Sequence, residues 1–366
     1  MIKELKRRVL AIVLIFTICI GLFLPIKVQA NDTTEKIPIN AKTEETSINN
    51  TVEERIAVDD PDNGIYYISN IMETDKIRLY GTFPDTQFFL TTDLNFSSTE
   101  IAPLCDNFKG TFDGCGHTIT FNIDENTGAF ANNQYLGLFS TCTDATIKNL
   151  YINANISLTT GGSFFNPSAY VGGIAGTSTN SIVENVHVSG NINILTDNDN
   201  SPWVGGLIGE ATNTNISLSS NEATIVAEAN SYIGIVRAGG LCGEFSGTIE
   251  NCYNKGDVKA TASIDTPYAG GLVGINAGTI TKSYNSGKVQ SAGPSTSMSD
   301  IYAGGIVAKG ENGSSVTDCA VMSPEISVAT GWINTGYKYI IANGGDKSNN
   351  ISINSISGSP TNDSNI

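Results

Sequence analysis

The chain has 366 residues, of which 40% are hydrophobic, 15% are charged and 38 are glycine. So few charges and so many glycines argue against a helical protein, whose surfaces need Ala, Glu, Lys and Leu. With 36 acidic against 20 basic residues and a formal net charge of −16, the chain lacks the phosphate-neutralising surface of a nucleic-acid binder, so no nucleic-acid partner is expected.

The first element is an address. Lys3, Lys6, Arg7 and Arg8 precede an apolar run over 9–24, and Pro25 is followed by Val28-Gln29-Ala30. A basic head, an apolar middle and a Val-x-Ala site describe a secretory leader over 1–30, cleaved after Ala30. The rival is an uncleaved anchor, since the run approaches the ~17 residues that span a bilayer; Pro25 and the cleavage site favour removal. Cleavage leaves 15 basic and 35 acidic residues, a net of −20. Such an acidic chain avoids anionic lipid, so no membrane contact is expected once the leader is gone. Residues 360–366 carry neither a hydrophobic tail nor a Leu-Pro-x-Thr-Gly sorting pattern. The expected location is therefore extracellular, or loosely associated with the cell surface.

Residues 31–60 are polar and unpatterned, a flexible spacer. Residues 61–134 are expected to form the first coils and cap one end. Six cysteines remain after the leader, and none forms a C-x-x-C pair. Cys105 and Cys115 flank a turn and could bridge; the others read as small buried hydrophobes.

From 135 to 330 the chain repeats. Tyr135-Leu-Gly-Leu-Phe is followed by Tyr170-Val-Gly-Gly-Ile, Trp203-Val-Gly-Gly-Leu, Arg237-Ala-Gly-Gly-Leu, Tyr268-Ala-Gly-Gly-Leu and Tyr302-Ala-Gly-Gly-Ile. The first glycines, Gly137, Gly172, Gly205, Gly239, Gly270 and Gly304, are spaced 35, 33, 34, 31 and 34 residues apart. Each repeat adds two further short, β-branched runs bounded by Asn, Gly, Ser and Asp, which is strand and turn chemistry. Three short strands in ~33 residues suit one coil of a parallel β-helix, each coil stacked ~4.8 Å above the last. A six-bladed propeller is the rival, but its blades take ~40–45 residues and hairpin signals that do not recur here. Stacking aligns Leu150, Val186, Ser219, Cys252, Ser283 and Cys319 in one inward column. Residues 331–366 are expected to form a C-terminal cap and tail.

The repeated Gly-Gly-Leu-x-Gly runs, with Phe108-Lys-Gly-Thr-Phe-Asp-Gly-Cys-Gly-His-Thr-Ile119 and Leu90-Thr-Thr-Asp-Leu-Asn ahead of them, resemble the GLUG-motif repeats of secreted and surface-exposed bacterial proteins. The likeness runs from about Tyr66 to Ala329. It implies a right-handed parallel β-helix in an adhesin-like setting. Some relatives accompany peptidase domains, but no His-Glu-x-x-His occurs here, so that activity does not carry over. Leu138 and Arg237 depart from the repeated pattern.

Candidate chemistry is sparse. Asp113, Glu184, Glu250, Asp257 and Asp318 are scattered, without the carboxylate pair that glycoside hydrolysis needs. His117 lies in a glycine-rich turn, which the imidazole could brace. Asp197-Asn-Asp-Asn-Ser201 fails as a calcium loop, with Pro202 and Ile208 where glycine and glutamate belong. No cofactor or metal is expected. Tyr135, Tyr170, Trp203, Tyr268 and Tyr302 share strand parity with the apolar Phe139, Ile174, Leu207, Leu272 and Ile306, which predicts inward stacking. Tyr151, His187, Tyr253 and Tyr284 also share parity with apolar residues, unless the asparagine between marks a bend. With a bend, this column faces outward and could stack on sugar rings. The expected function is a monomeric, non-enzymatic binding or adhesion module for glycans or extracellular proteins. The alternatives are a carbohydrate-active lyase or hydrolase on the same scaffold, or a passive spacer.

Overall fold

Each repeat lays its apolar runs down as short strands, and each strand hydrogen-bonds to its equivalent one repeat on. Tyr170 pairs with Tyr135 and Trp203, Trp203 with Arg237, Arg237 with Tyr268, and Tyr268 with Tyr302, all in parallel register. The glycine-bearing strands thus stack into a seven-stranded sheet from Tyr135–Leu136 to Gly336–Tyr339, while 26 other strands form a second continuous sheet. The computed structural model is an all-β parallel solenoid of about 6 turns, ~33 residues apart. It describes residues 58–100, 103–124, 135–160, 168–197, 201–230, 234–294, 300–329, 336–339 and 346–352. The leader at 1–30, most of the spacer and the tail beyond 352 lie outside the described residues.

Left-handed residues make one set of corners. Asn149, Asn185, Leu218, Asn251, Lys282 and Asp318 have φ of 52°, 55°, 52°, 55°, 47° and 53°. Asn and Asp tolerate this region best among residues with a Cβ. Each corner residue precedes one member of the inward column from Leu150 to Cys319, every one of which is buried. The corner resets the alternation of sides, so Tyr151, His187, Tyr253 and Tyr284 face outward. A second corner, at the glycines, has the same effect on the other ring column. Ile174 and Ala175 are consecutive and both buried, so parity counted back from Ile174 to Tyr170 fails. The column from Tyr135 to Tyr302 is accordingly half-buried on the outside, not inward as its parity predicts. At Gly240 only glycine fits: a Cβ there would run into the Gly271 carbonyl and the Asn254 amide.

The interior changes character along the axis. Phe88, Phe108, Phe112 and Phe139 pack ring on ring in the first coils, with Phe108 and Phe139 at 4.4 Å. Later coils are filled mainly by Ala, Val, Ile, Leu and Cys, with Phe245 among them. Burial pushes the Cys252 thiol up to about 12 and the Cys319 thiol to about 11, as befits apolar packing rather than reactivity. Cys105 is likewise a buried thiol, beside Gly81. The bridge to Cys115 is not formed, because Cys105 packs into the core while Cys115 follows Asp113 into a turn at φ 49°.

The first strand, Ile65–Ile68, pairs with Gln87–Leu90 on one side. Its other edge is met by polar side chains. Asp59 accepts from the Tyr67 N–H at 2.8 Å, and Lys76 donates to the Tyr67 carbonyl at 3.0 Å while pairing with Asp59 at 2.7 Å. Lys76 is presented by the short helix α1 (Asp75–Tyr80).

Candidate functional site

The outward column following the asparagine corner runs, coil by coil, through Thr118, Tyr151, His187, Ser220, Tyr253 and Tyr284. Tyr253 and Tyr284 stack at 5.1 Å and 8°; Tyr151 and His187 meet at the same distance but tilted by 31°. Between these pairs stands Ser220, too small to continue the stack. A groove of about 280 Å³ opens here, lined by the column from Thr118 to Tyr253 and flanked by Ser189 and Glu222. The four residues Tyr151, His187, Tyr253 and Tyr284 thus share one outward face, and the first three of them line the groove. Tyr151 is the most exposed ring of the set, at 48%.

Polar contacts fix the groove's middle. His187 Nδ1 lies 2.8 Å from Ser220 Oγ and Nε2 lies 3.1 Å from Asn185 Oδ1. Asn185 Nδ2 already donates to Asn149, so its Oδ1 accepts, His187 carries its proton on Nε2, and the Ser220 hydroxyl donates to Nδ1. Burial holds the imidazole below its ordinary range, with the Lys255 charge adding to that and Glu222 opposing it. A serine, a neutral histidine and an orienting amide are the parts of a nucleophile relay. Ser220, however, is only 1% exposed, so its hydroxyl is shielded from a substrate in this conformation and instead braces the imidazole. At the Tyr253 end Lys255 stands 4.9 Å from the ring centroid and pairs with Glu222 at 2.7 Å.

The other ring column is a filled ladder. Tyr135, Tyr170 and Trp203 stack at 5.1 and 4.5 Å, Arg237 lies 4.4 Å over Trp203, and Tyr268 stacks on Tyr302 at 5.0 Å. Arg237, which looks isolated in the sequence, fills the place of a ring. Its Nε is 2.8 Å from Glu244 Oε2, off the N–H axis, so the contact is an ion pair rather than a hydrogen bond. Trp203 Nε1 donates to the same oxygen at 3.0 Å. Glu210 pairs in register with Glu244; burial and then the Glu244 charge push its carboxyl up, with Arg237 opposing. Sequence reading missed this carboxylate pair because the two lie 34 positions apart, one repeat, where only stacking brings them together.

The remaining candidates are structural. His117 Nδ1 is 3.1 Å from Asp93 Oδ1, which also accepts the Thr118 N–H at 2.9 Å. Asp113 is 4% exposed and binds Lys148, Asn149 and the Cys115 N–H. Of the calcium-like run, 198–200 lie outside the described residues, and no cluster of metal-ligating groups occurs among the described residues.

Among solved structures, the chain is similar to one from Bacteroides ovatus described provisionally as an immunoglobulin A1 protease. The two share 17% identity over 79% of this chain and 75% of that one, with a TM-score of 0.44, too distant a likeness to speak of activity. No curated protein matches the chain. The sequence pattern of the GLUG motif matches at residues 168–193 and 265–290, so two of the stacked coils are GLUG-motif repeats.

Proposed function

We propose that the chain is a secreted, monomeric, non-enzymatic binding module whose outward column Tyr151, His187, Tyr253 and Tyr284 contacts extracellular glycans. The observation that carries this reading is the groove where that column narrows to Ser220, with aromatic rings on either side of a polar floor. Aromatic platforms with a few convergent polar groups are the usual makings of a ligand site. Binding rather than cleavage is favoured because, among the described residues, Glu222 is the single carboxylate lining the groove, whereas hydrolysis of a glycosidic bond uses two.

The test is retention on a glycan array by the mature chain and by a Tyr253→Ala, Tyr284→Ala double variant. The variant should lose glycan retention and keep its β-sheet circular dichroism. Retention unchanged in the variant removes this face from the reading. Capture by immobilised extracellular proteins, with no glycan bound, replaces the ligand class. Edman sequencing of the exported product should begin at Asn31.

A further inference from the structure

We propose that the groove holds a linear, neutral, equatorially linked hexose chain lying parallel to the coil axis, one ring to each coil. The proposal rests on the reading of this face as a glycan surface. Thr118, Tyr151, His187, Ser220 and Tyr253 line the groove and stand in register on successive coils. Four coil steps give it a length of about 19 Å at ~4.8 Å per step. Over that length a volume of about 280 Å³ makes a shallow trough, suited to one side of an extended chain and too slight to enclose a compact ligand.

The trough repeats its chemistry at the coil step. A hydroxyl, a phenol ring, an imidazole, a second hydroxyl and a second phenol ring follow one another along the axis. The Ser220 hydroxyl is out of solvent and engaged with His187, so a ligand meets the other four, and to do so it must be straight and must repeat at nearly the same step. An equatorially linked pyranose ribbon does both, and it carries C–H groups on its faces and hydroxyls on its rim. The ring faces of Tyr151 and Tyr253 turn along the axis toward His187 and Tyr284, so the ribbon's C–H face lies against their outward ring edges, and its rim hydroxyls suit Ser189 and Glu222 along the flank. Axially linked chains wind into helices and leave a straight trough after a ring or two.

Charge selects a neutral chain. Lys255, the ammonium at the Tyr253 end, is already balanced by Glu222 at 2.7 Å, and the chain carries a formal charge of −16. A uronic or sulfated sugar would meet net repulsion with no unbalanced cation to offset it.

Calorimetry of the mature chain with glucose, cellobiose, cellotriose, cellotetraose, cellopentaose and cellohexaose tests the proposal. Affinity should rise about tenfold or more between the two-ring and five-ring ligands and then level off, and maltopentaose should bind about tenfold or more weakly than cellopentaose. Ser189→Trp, placed on the exposed flank, should reduce cellopentaose affinity to that of cellobiose with the fold intact. Affinity independent of length, or equal binding of maltopentaose, overturns the axial ribbon and leaves the glycan face standing. If Ser189→Trp binds cellopentaose as the parent does, the trough is not the path. Silence of every glycan on the array removes both readings together.

Discussion

Asn254 donates its side-chain amide to Asn285 Oδ1 at 2.8 Å, across one coil step and wholly out of solvent. Asn221 donates in the same way to Asn254, and Asn285 to Ser323. Asn254 also closes its own turn, accepting from the Gly256 N–H and donating to the Gly256 carbonyl. The ladder therefore satisfies corner backbone groups that have no strand partner, and holds neighbouring coils in register. Asn254→Ala would leave the Asn221 amide, the Asn285 Oδ1 and both Gly256 groups short of partners. At about 1–3 kcal/mol for each buried group left unmet, a loss of about 3 kcal/mol or more is expected, measured by urea denaturation.

The repeat was legible in the sequence because stacking forces equivalent residues into columns, and columns print themselves as a period. The glycine positions and the inward column from Leu150 to Cys319 could be read this way. What the period conceals is the corner. Parity alternates only along an unbroken strand, so one left-handed residue such as Asn149, or one Gly-Gly pair, inverts every later assignment. Tyr135 to Tyr302 were thus placed on the wrong side, while the outward turn of Tyr151 depended on recognising the asparagine bend. The asparagine ladder had a visible signal in the pattern Tyr-Asn-x-Gly, at Tyr253–Gly256 and Tyr284–Gly287. The Ser220 gap and the Arg237–Glu244 pair had none, since both depend on which side chain stands one coil away.

Leu218 is the misfit in the corner column. It holds φ at 52° with a side chain 51% exposed, where the equivalent positions in three other coils carry Asn. Left-handed backbone costs an ordinary residue roughly 1–2 kcal/mol, and Asn less. Leu218→Asn should stabilise the protein by about 1 kcal/mol, visible as a higher urea midpoint at unchanged slope.

Lys76 and Asp59 occupy the free edge of the first strand, where Tyr67 would otherwise offer an N–H and a carbonyl to another chain. Blocking an edge with a lysine is a recurring defence against strand-to-strand association. Lys76→Met removes the donor to the Tyr67 carbonyl and the ion pair, and leaves helix α1 free to form. Light scattering should show concentration-dependent association of this variant, with the parent staying monomeric over the same range.

Glu210 gives a pH dependence of definite sign. Its folded carboxyl is raised above the ordinary carboxylate range by burial and by Glu244. A raised folded pKa means that the contribution to stability is fully present below the unfolded pKa and is lost as pH rises through the folded one. Glu210→Gln should therefore gain stability over the parent at neutral pH, and the gain should shrink as pH falls into the carboxylate range. Denaturation midpoints of the two proteins compared across pH 3–8 would show it; a constant difference would contradict the burial argument.

Arg237 stands where the other coils have a ring, and the consensus substitution Arg237→Tyr tests what the cation does there. A tyrosine would restore stacking between Trp203 and Tyr268, worth about 0.5–1.5 kcal/mol beyond its burial. It would also strip Glu244 of its counter-charge and leave two carboxylates facing each other on adjacent coils. Repulsion between partly buried like charges should outweigh the stacking gain at neutral pH, so the single variant is expected to be less stable than the parent. Adding Glu244→Gln removes one of the two charges while Trp203 Nε1 keeps an amide oxygen to donate to. The double variant should then recover the loss and exceed the parent, a coupling that a double-mutant cycle measures directly. Independent effects of the two substitutions would mean that the ladder tolerates its cation for reasons unconnected with Glu244.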